Sequence, residues 1–132
     1  MGEPRKQVHV ERIAIRWGDM DAMGHVNNTV YFRYMEQARI AWFESLVPRA
    51  EAWGEIGIVI VNASCNFRRA INYPGTVEVR LFAGRPGGSS VATHYELLIE
   101  GQLYADGAAT VVFINREQKP LRIPQHIRDL IQ

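Results

Sequence analysis

Residues 16–46 encode a polar loop followed directly by a long helix, and they read RWGDMDAMGHVNNTVYFRYMEQARIAWFESL. Two aspartates and a glycine lie within residues 19–25, which is typical of a loop. The paired asparagines Asn27 and Asn28 favour a helix start at this point, because asparagine is a good N-cap residue. Pro48 is expected to end the helix, since proline cannot continue it.

One face of the predicted helix is apolar. Its members recur at spacings of three and four residues, and they are Tyr31, Tyr34, Met35, Ala38, Trp42, Ser45 and Leu46. Because Phe32, Ile40 and Phe43 are apolar as well, few positions remain that can face water. We therefore expect a central helix that the rest of the chain wraps.

The remaining sequence reads mainly as strands separated by short turns. The predicted strands cover residues 7–17, 57–69, 77–83, 91–99 and 105–115, and a short helix follows at residues 123–131. The alternation of apolar residues slips by one near Glu11 and Arg12, which indicates a bulge, and Asp106-Gly107 indicates a second one. The order of one strand, a long helix and four strands predicts an α+β fold with an antiparallel sheet curled around the helix.

Composition limits the classes of function. A chain of 132 residues is long enough for one domain, predicted to span residues 1–132. The formal net charge is +1 and the basic residues are scattered, so no nucleic-acid partner is expected. No apolar run is long enough for a signal peptide or a membrane span, so we expect a cytoplasmic protein without a membrane partner. The single cysteine, Cys65, is interpreted as a small buried residue.

Asp21 is the leading candidate for chemistry. A carboxylate just before a helix N-terminus lies near unpaired backbone N–H groups, which could stabilise an oxyanion while the acid attacks or activates water. The simpler interpretation of such an aspartate is a turn or N-cap residue. Asp19 lies two residues earlier and is expected to hydrogen-bond backbone N–H groups in the turn.

Four further polar residues are weighed in the same region. His25 is a candidate general base or carbonyl-orienting group, although a loop histidine is more often a surface residue. Asn27 and Asn28 are first of all helix-cap residues, and they would act on a substrate through backbone N–H groups. Glu36 rivals Asp21 as the acid, but an ion pair with Arg39 three residues later is the simpler explanation. No Cys/His spacing predicts a metal site, and no cofactor is expected.

Residues 16–39 resemble the N-terminal signature of the 4-hydroxybenzoyl-CoA thioesterase family, particularly its acyl-CoA thioesterase members. The segments that carry the resemblance are DMDAMGHVNN at residues 19–28, Tyr31-Phe32 and EQAR at residues 36–39. Similarity of lower specificity continues through Val77-Glu78-Val79, the Gly-Gly-Ser-Ser loop and Ile123-Pro124. This resemblance is a strong indication of family and a weak indication of substrate.

The resemblance implies a hotdog fold, in which a curved five-stranded antiparallel sheet wraps one long central helix. It further implies metal-free hydrolysis of acyl-CoA, with Asp21 as nucleophile or general base and the backbone N–H at Asn28 as oxyanion donor. His25 is placed with these two as a catalytic residue. The expected substrate-binding residues are Gly24, Asn27, Tyr31 and, in the loop that contacts CoA, Gly88, Ser89 and Ser90. Homodimers that assemble into a homotetramer are expected, with active sites at the subunit interface.

Three alternatives remain open at this stage. The same fold could hydrolyse acyl groups carried on acyl carrier protein, which a basic surface at the mouth of the pocket would favour. A non-catalytic acyl-CoA-binding protein is disfavoured by the presence of Asp21 with Gly24 and the asparagine pair. A dehydratase is weaker still, because His25 alone does not reproduce the required arrangement. A fatty acyl chain of medium or greater length is the working hypothesis for the substrate.

Overall fold

The computed structural model describes residues 4–47 and 54–132. The helices and strands in chain order are β1 (Lys6–Ala14), α1 (Asn28–Leu46), β2 (Gly57–Phe67), β3 (Thr76–Ala83), β4 (Ser90–Ile99), β5 (Gln102–Ile114) and α2 (Gln125–Ile131). A single turn of 3₁₀ helix, Trp17–Asp19, lies between β1 and α1. The helix start at the asparagine pair is confirmed, whereas the predicted stop at Pro48 lies outside the described residues.

The strands form one antiparallel sheet in the order β1-β3-β4-β5-β2. Strands β3, β4 and β5 follow one another through short turns, including a reversal at Glu100 and Gly101, where both residues have positive φ. Strands β1 and β2 flank α1 in the sequence and occupy the two edges of the sheet. The predicted α+β arrangement of five antiparallel strands and one long helix is confirmed.

Helix α1 packs its apolar face on the inner face of the sheet. The buried α1 residues are Tyr31, Tyr34, Met35, Ala38, Arg39, Trp42, Phe43 and Leu46. The predicted face is therefore confirmed except at Ser45, which is exposed, while Arg39 and Phe43 are buried in addition. On the sheet, side chains of alternate residues such as Val77, Val79 and Leu81 complete the core.

The irregularities of the sheet lie elsewhere than predicted. The register of β1 against β3 shifts between Gln7 and His9 rather than near Glu11 and Arg12. At Asp106 and Gly107 the pairing of β5 is continuous, and the shift between β4 and β5 lies at Leu97/Leu98 instead. Glycine at position 107 is explained instead by the close approach of α1, because a Cβ atom there would lie 2.6 Å from Sδ of Met35.

Candidate active site

Asp19 anchors the loop that precedes α1. Its carboxylate is buried and accepts hydrogen bonds from the backbone N–H of Arg16 at 2.9 Å and from the Tyr34 hydroxyl at 2.8 Å. Burial, and then the bond to Asp19 and its charge, raise the pKa of Tyr34 well above its usual value, so the phenol remains a donor. The predicted turn-forming role of Asp19 is confirmed, and the loop is fixed to the helix at this point.

Asp21 lies in a tight turn closed by backbone bonds. Its N–H donates to the carbonyl of His25 at 2.9 Å, and the N–H of Gly24 donates to its carbonyl at 3.0 Å. Gly24 has φ +83°, a conformation that favours glycine, and this explains the residue type at that position. The Asp21 carboxylate is exposed and accepts from the Met23 N–H at 2.9 Å and from Nδ2 of Asn27 at 3.0 Å.

Asn27 joins this carboxylate to the N-terminus of α1. It is the N-cap residue, and its Oδ1 accepts from the backbone N–H of Thr29 at 2.9 Å and from the Thr29 hydroxyl at 2.7 Å. Asn28 is the first helical residue, and none of the described residues accepts a hydrogen bond from its backbone N–H. The turn therefore holds a carboxylate beside a helix N-terminus whose first N–H is unpaired.

His25 is exposed and is held by a residue from a distant part of the chain. Its Nδ1 lies 2.7 Å from the side-chain amide of Asn72, just before β3. The amide orientation that satisfies its surroundings places the nitrogen of Asn72 against Nδ1, where it also donates to the carbonyl of Gly24 at 3.0 Å. A proton on Nε2 follows from this orientation, because Nδ1 then serves as an acceptor.

Tyr31 is buried on α1 and hydrogen-bonds the backbone of the segment before β3. It is only 2% exposed, and its hydroxyl donates to the carbonyl of Arg69 at 3.0 Å and accepts from the N–H of Ile71 at 3.1 Å. The carbonyl of Ile71 in turn accepts from the N–H of Val26 at 2.8 Å. The phenol therefore braces the loop, and direct substrate binding by Tyr31 stays a prediction.

The loop at residues 88–90 does not lie beside Asp21 within one chain. The Asp21 turn lies near the start of β3, where the N–H of Ile15 donates to the carbonyl of Gly75. The glycine-rich loop follows the end of β3, about 26 Å away at 3.3 Å per residue. There the carbonyls of Gly88 and Ser89 accept from Ile123 and Phe113. A site that uses Asp21 together with Gly88, Ser89 and Ser90 therefore needs two copies of the chain.

A groove runs along α1 beside the edge strand β2. We call it the α1–β2 groove; its volume is about 330 Å³, and its lining includes Thr29, Phe32, Met35, Ile60, Ala63 and Ala109. Thr29 directly follows Asn28, so one end of the groove lies in the first turn of α1. Most of the lining is apolar, and its charged members are Arg33, Glu36 and Arg39.

Sequence reasoning missed two polar residues in this region. Asn72 contacts His25 from 47 positions further along the chain, and no spacing in the sequence links them.

Arg39 is buried beside the groove, where its Nη1 donates to the Tyr95 hydroxyl at 3.1 Å. Its place on the buried face was detectable, because Tyr31, Met35 and Arg39 follow one another at intervals of four. The expected pairing of Arg39 with Glu36 is wrong, since Glu36 pairs with Arg33 at 2.9 Å.

Comparison with known proteins places this arrangement in a family. The family model described as the thioesterase-like superfamily matches residues 15–131. The chain belongs to the thioesterase-like superfamily. The hotdog fold and the prediction of a thioester hydrolase are thereby confirmed.

Three relatives show how far the similarity of this thioesterase extends. The PA2801 protein of Pseudomonas aeruginosa is 37% identical over 96% of this chain and 100% of that chain, with a TM-score of 0.88. A thioesterase from Thermus thermophilus, solved with coenzyme A and Zn, is 29% identical over 95% of this chain and 92% of that chain, with a TM-score of 0.83. The long-chain acyl-CoA thioesterase FadM of Escherichia coli is 27% identical over 127 residues, which are 92% of this chain and 95% of FadM.

Two structural features are absent from the described part of the thioesterase. In residues 4–47 and 54–132, no helix is both long and apolar enough to cross a membrane. Within the same two ranges, no group of three or more His, Cys, Asp or Glu side chains could hold a metal ion.

Proposed function

We propose that this thioesterase hydrolyses acyl-CoA, with Asp21 as nucleophile or general base, in the manner of the 4-hydroxybenzoyl-CoA thioesterase family. The observation that carries the proposal is the fixed Asp21 carboxylate beside the unpaired N–H of Asn28. The similarity to FadM, which is a long-chain acyl-CoA thioesterase, supports a CoA ester as substrate. The free acid and CoA are the products.

The chemistry divides between the carboxylate and the helix N-terminus. Asp21 either removes a proton from the attacking water or attacks the thioester carbonyl itself, which gives an acyl-aspartyl anhydride that water then hydrolyses to the free acid. In both routes the carbon–sulfur bond breaks, and CoA leaves as a thiolate that takes up the proton released by the water. The N–H of Asn28 donates to the carbonyl oxygen as negative charge develops there, and the partial positive charge of the α1 N-terminus adds to this stabilisation. His25, with Nδ1 held by Asn72, has Nε2 left to contact the substrate.

The acyl group and the CoA moiety occupy different parts of the proposed site. The acyl chain lies in the α1–β2 groove, which has one end in the first turn of α1 and is lined mainly by apolar side chains. The CoA moiety contacts Gly88, Ser89 and Ser90 of a second copy, because the loop of the same chain is at the far end of β3. A homodimer is thus the smallest unit with a complete site, and two dimers form the proposed homotetramer.

Replacement of the carboxylate tests the proposal directly. We expect Asp21→Asn to lower kcat for acyl-CoA hydrolysis by about 10²- to 10⁴-fold, because an amide neither attacks the carbonyl nor accepts a proton. Release of CoA from a panel of acyl chain lengths is measured with a thiol reagent, alongside the melting temperature. Asp129→Asn, on the exposed side of α2, is the matched control and should retain full activity.

The outcomes of this experiment separate the alternatives. Full activity in Asp21→Asn would remove Asp21 from the mechanism. If the wild type hydrolyses no CoA ester of any chain length, the proposal fails, and the same panel on acyl carrier protein then tests the carrier-protein alternative.

The backbone donor can be removed without disturbing the helix. Proline is favoured at the first helical position, and Asn27 already has φ −63° and ψ 143°, which suit a residue before proline. We expect Asn28→Pro to lower kcat by about 10²- to 10³-fold, since it deletes the proposed oxyanion donor. Asn28→Ala retains the N–H and should remain active. Equal activity of the two folded variants would show that the N–H at this position plays no part.

A further inference from the structure

Arg39 is a buried cation, and no carboxylate in residues 4–47 and 54–132 forms an ion pair with it. It is 9% exposed, and among the described residues its only hydrogen bond runs from Nη1 to the Tyr95 hydroxyl at 3.1 Å. Its Nε has almost no accessible surface and no hydrogen-bond partner within the described ranges. In the part of the chain that the structure describes, nothing accepts a hydrogen bond from Nη2 either. The Nε–Nη2 edge, which is the edge that binds carboxylates in bidentate fashion, is therefore unpaired.

The bonds around Arg39 hold the guanidinium in position but do not neutralise it. The Thr93 hydroxyl donates to the carbonyl of Ala109 at 2.7 Å, so the Tyr95 hydroxyl, also at 2.7 Å, must donate to Thr93. Tyr95 is then an acceptor for Arg39. This chain of donors ends on a neutral backbone carbonyl, and a buried charge of this kind is costly unless an anion pairs with it.

Arg39 lines the α1–β2 groove at a distance from the proposed reaction centre. It follows Asn28 by eleven residues, which corresponds to about 16 Å along the helix axis, and its side chain leans back toward the helix N-terminus. An extended chain of roughly ten carbons spans about 12 Å at single-bond lengths of about 1.5 Å. The walls between the two positions are formed by apolar side chains such as Phe32, Met35 and Ile60.

We propose that Arg39 binds a carboxylate at the far end of the acyl group, so that the preferred substrates are CoA esters of medium-chain dicarboxylic acids. The proposal rests on the function proposed above, and it specifies the acyl group. The methylene chain lies in the apolar groove, and the terminal carboxylate accepts a charge-assisted hydrogen bond from Nη2, the unpaired nitrogen that is not enclosed, whereas Nε has almost no accessible surface. Tyr95 is a positioning residue, because its hydroxyl holds Nη1 and thereby orients the unpaired edge.

The carboxylate residue among the described residues that line the groove already has an ion-pair partner other than Arg39. Glu36 lines the same groove but pairs with Arg33, and its side chain is 46% exposed. Its pair with Arg33 is therefore solvated, and Arg39 keeps its own charge uncompensated. A substrate carboxylate would supply the missing anion and would enter with a chain whose length suits the groove.

The test compares two esters that differ only at the end of the chain. We measure kcat/KM for decanoyl-CoA and for the mono-CoA ester of decanedioic acid in the wild type, Arg39→Met and Arg80→Met. We expect the wild type to prefer the dicarboxylic ester about 10- to 100-fold, the effect of a hydrogen-bonded charge pair. Arg39→Met should lose this preference but still hydrolyse decanoyl-CoA. Arg80→Met, which removes a charge paired with Glu78, should keep the preference.

A binding measurement separates this proposal from the proposed function. Calorimetry of Asp21→Asn with decanoyl-CoA and with the mono-CoA ester of decanedioic acid reports on the terminal carboxylate without turnover. Tighter binding of the dicarboxylic ester, lost when Arg39→Met is added, would support the role of Arg39 even if the wild type hydrolysed neither ester. Hydrolysis of decanoyl-CoA without any preference for the dicarboxylic ester would overturn the inference and leave the thioesterase function intact.

Two further results would assign Arg39 differently. An equal loss of both activities in a folded Arg39→Met variant would show a structural role, such as pairing with a carboxylate of a second copy. If Arg39→Met does not fold, Tyr95→Phe takes its place, since it removes only the hydroxyl that holds Nη1. We then expect a higher KM for the dicarboxylic ester with kcat unchanged, and an unchanged KM would contradict the proposal.

Discussion

Cys65 lies on the inner face of β2 opposite Gly107, close to the proposed site, and it is half-buried. Burial, and secondly the nearby Asp106 carboxylate, raise the pKa of its thiol to about 11 from an ordinary value of 9.0. A shift of this size lowers the thiolate fraction at neutral pH about a hundredfold, and the thiolate is the reactive form. The thiol is therefore poorly suited to act as a nucleophile.

We accordingly predict that Cys65→Ala retains wild-type kcat and that iodoacetamide modifies the native protein slowly. Mass spectrometry of the alkylated protein, before and after unfolding in urea, measures the protection. Rapid alkylation with loss of thioesterase activity, or an inactive Cys65→Ala variant with an unchanged melting temperature, would instead indicate covalent catalysis by the thiol.

At the scale of single residues, turn and cap interactions between sequence neighbours could be predicted, whereas hydrogen-bond partners distant in the sequence could not. Asp19, Asp21, Asn27 and Asn28 lie within ten positions of one another, so turn and cap preferences fix their arrangement. Asn72 reaches His25 only because the segment before β3 folds back onto the loop. That contact depends on the tertiary fold, and no local preference encodes it.

At the scale of elements, the contact between α1 and β5 depends on the absence of a side chain at Gly107. A Cβ atom there would lie 2.6 Å from Sδ of Met35 and 2.7 Å from the backbone carbonyl of Ser64. Met35 can move, but the carbonyl of Ser64 belongs to the neighbouring strand. The helix therefore approaches the sheet more closely at this point than any other residue would permit.

We predict that Gly107→Ala lowers the free energy of unfolding by about 1–3 kcal/mol, the usual cost of overpacking. Urea denaturation followed by circular dichroism measures the change. Gly88→Ala is the matched control, because an added Cβ there meets nothing within 4 Å, and its effect should stay within about 0.5 kcal/mol. An unchanged stability of Gly107→Ala would mean that helix and sheet separate easily.

The elements themselves were largely predictable because their periodicities are strong. The strand boundaries differ from the predicted ones by a few residues, and the order of elements is as expected. The bulges were not predictable, since an alternation of apolar residues records which side chains are buried but not where the partner strand shifts. The burial of Arg39 was missed for a different reason, because its spacing of four from Met35 does place it on the buried face, but hydropathy assigns a charged residue to the surface.

At the scale of the whole molecule, β2 is an edge strand with exposed apolar residues. Val59, Ile60 and Val61 are 38%, 36% and 59% exposed, and Val61 lies where the register against β5 shifts. Edge strands of monomeric proteins usually carry charges or prolines at such positions. The proposed homodimer would therefore pair β2 with β2 of a second copy around a two-fold axis.

We predict that Val61→Lys dissociates this dimer, because two symmetry-related lysines would then face each other near the axis. Analytical ultracentrifugation of this variant should show a smaller species than the wild type. Val10→Lys on the opposite edge strand β1 is the control and should leave the mass unchanged, because Val10 is similarly exposed at 39%. Dissociation should also raise KM for acyl-CoA, since the loop at residues 88–90 follows the end of β3, a strand about 26 Å long whose start lies near the Asp21 turn, and is proposed to complete the site only from a second copy. A monomeric wild type with full activity would contradict both the dimer and the shared site, and a monomeric Val61→Lys variant with unchanged KM would contradict the shared site alone.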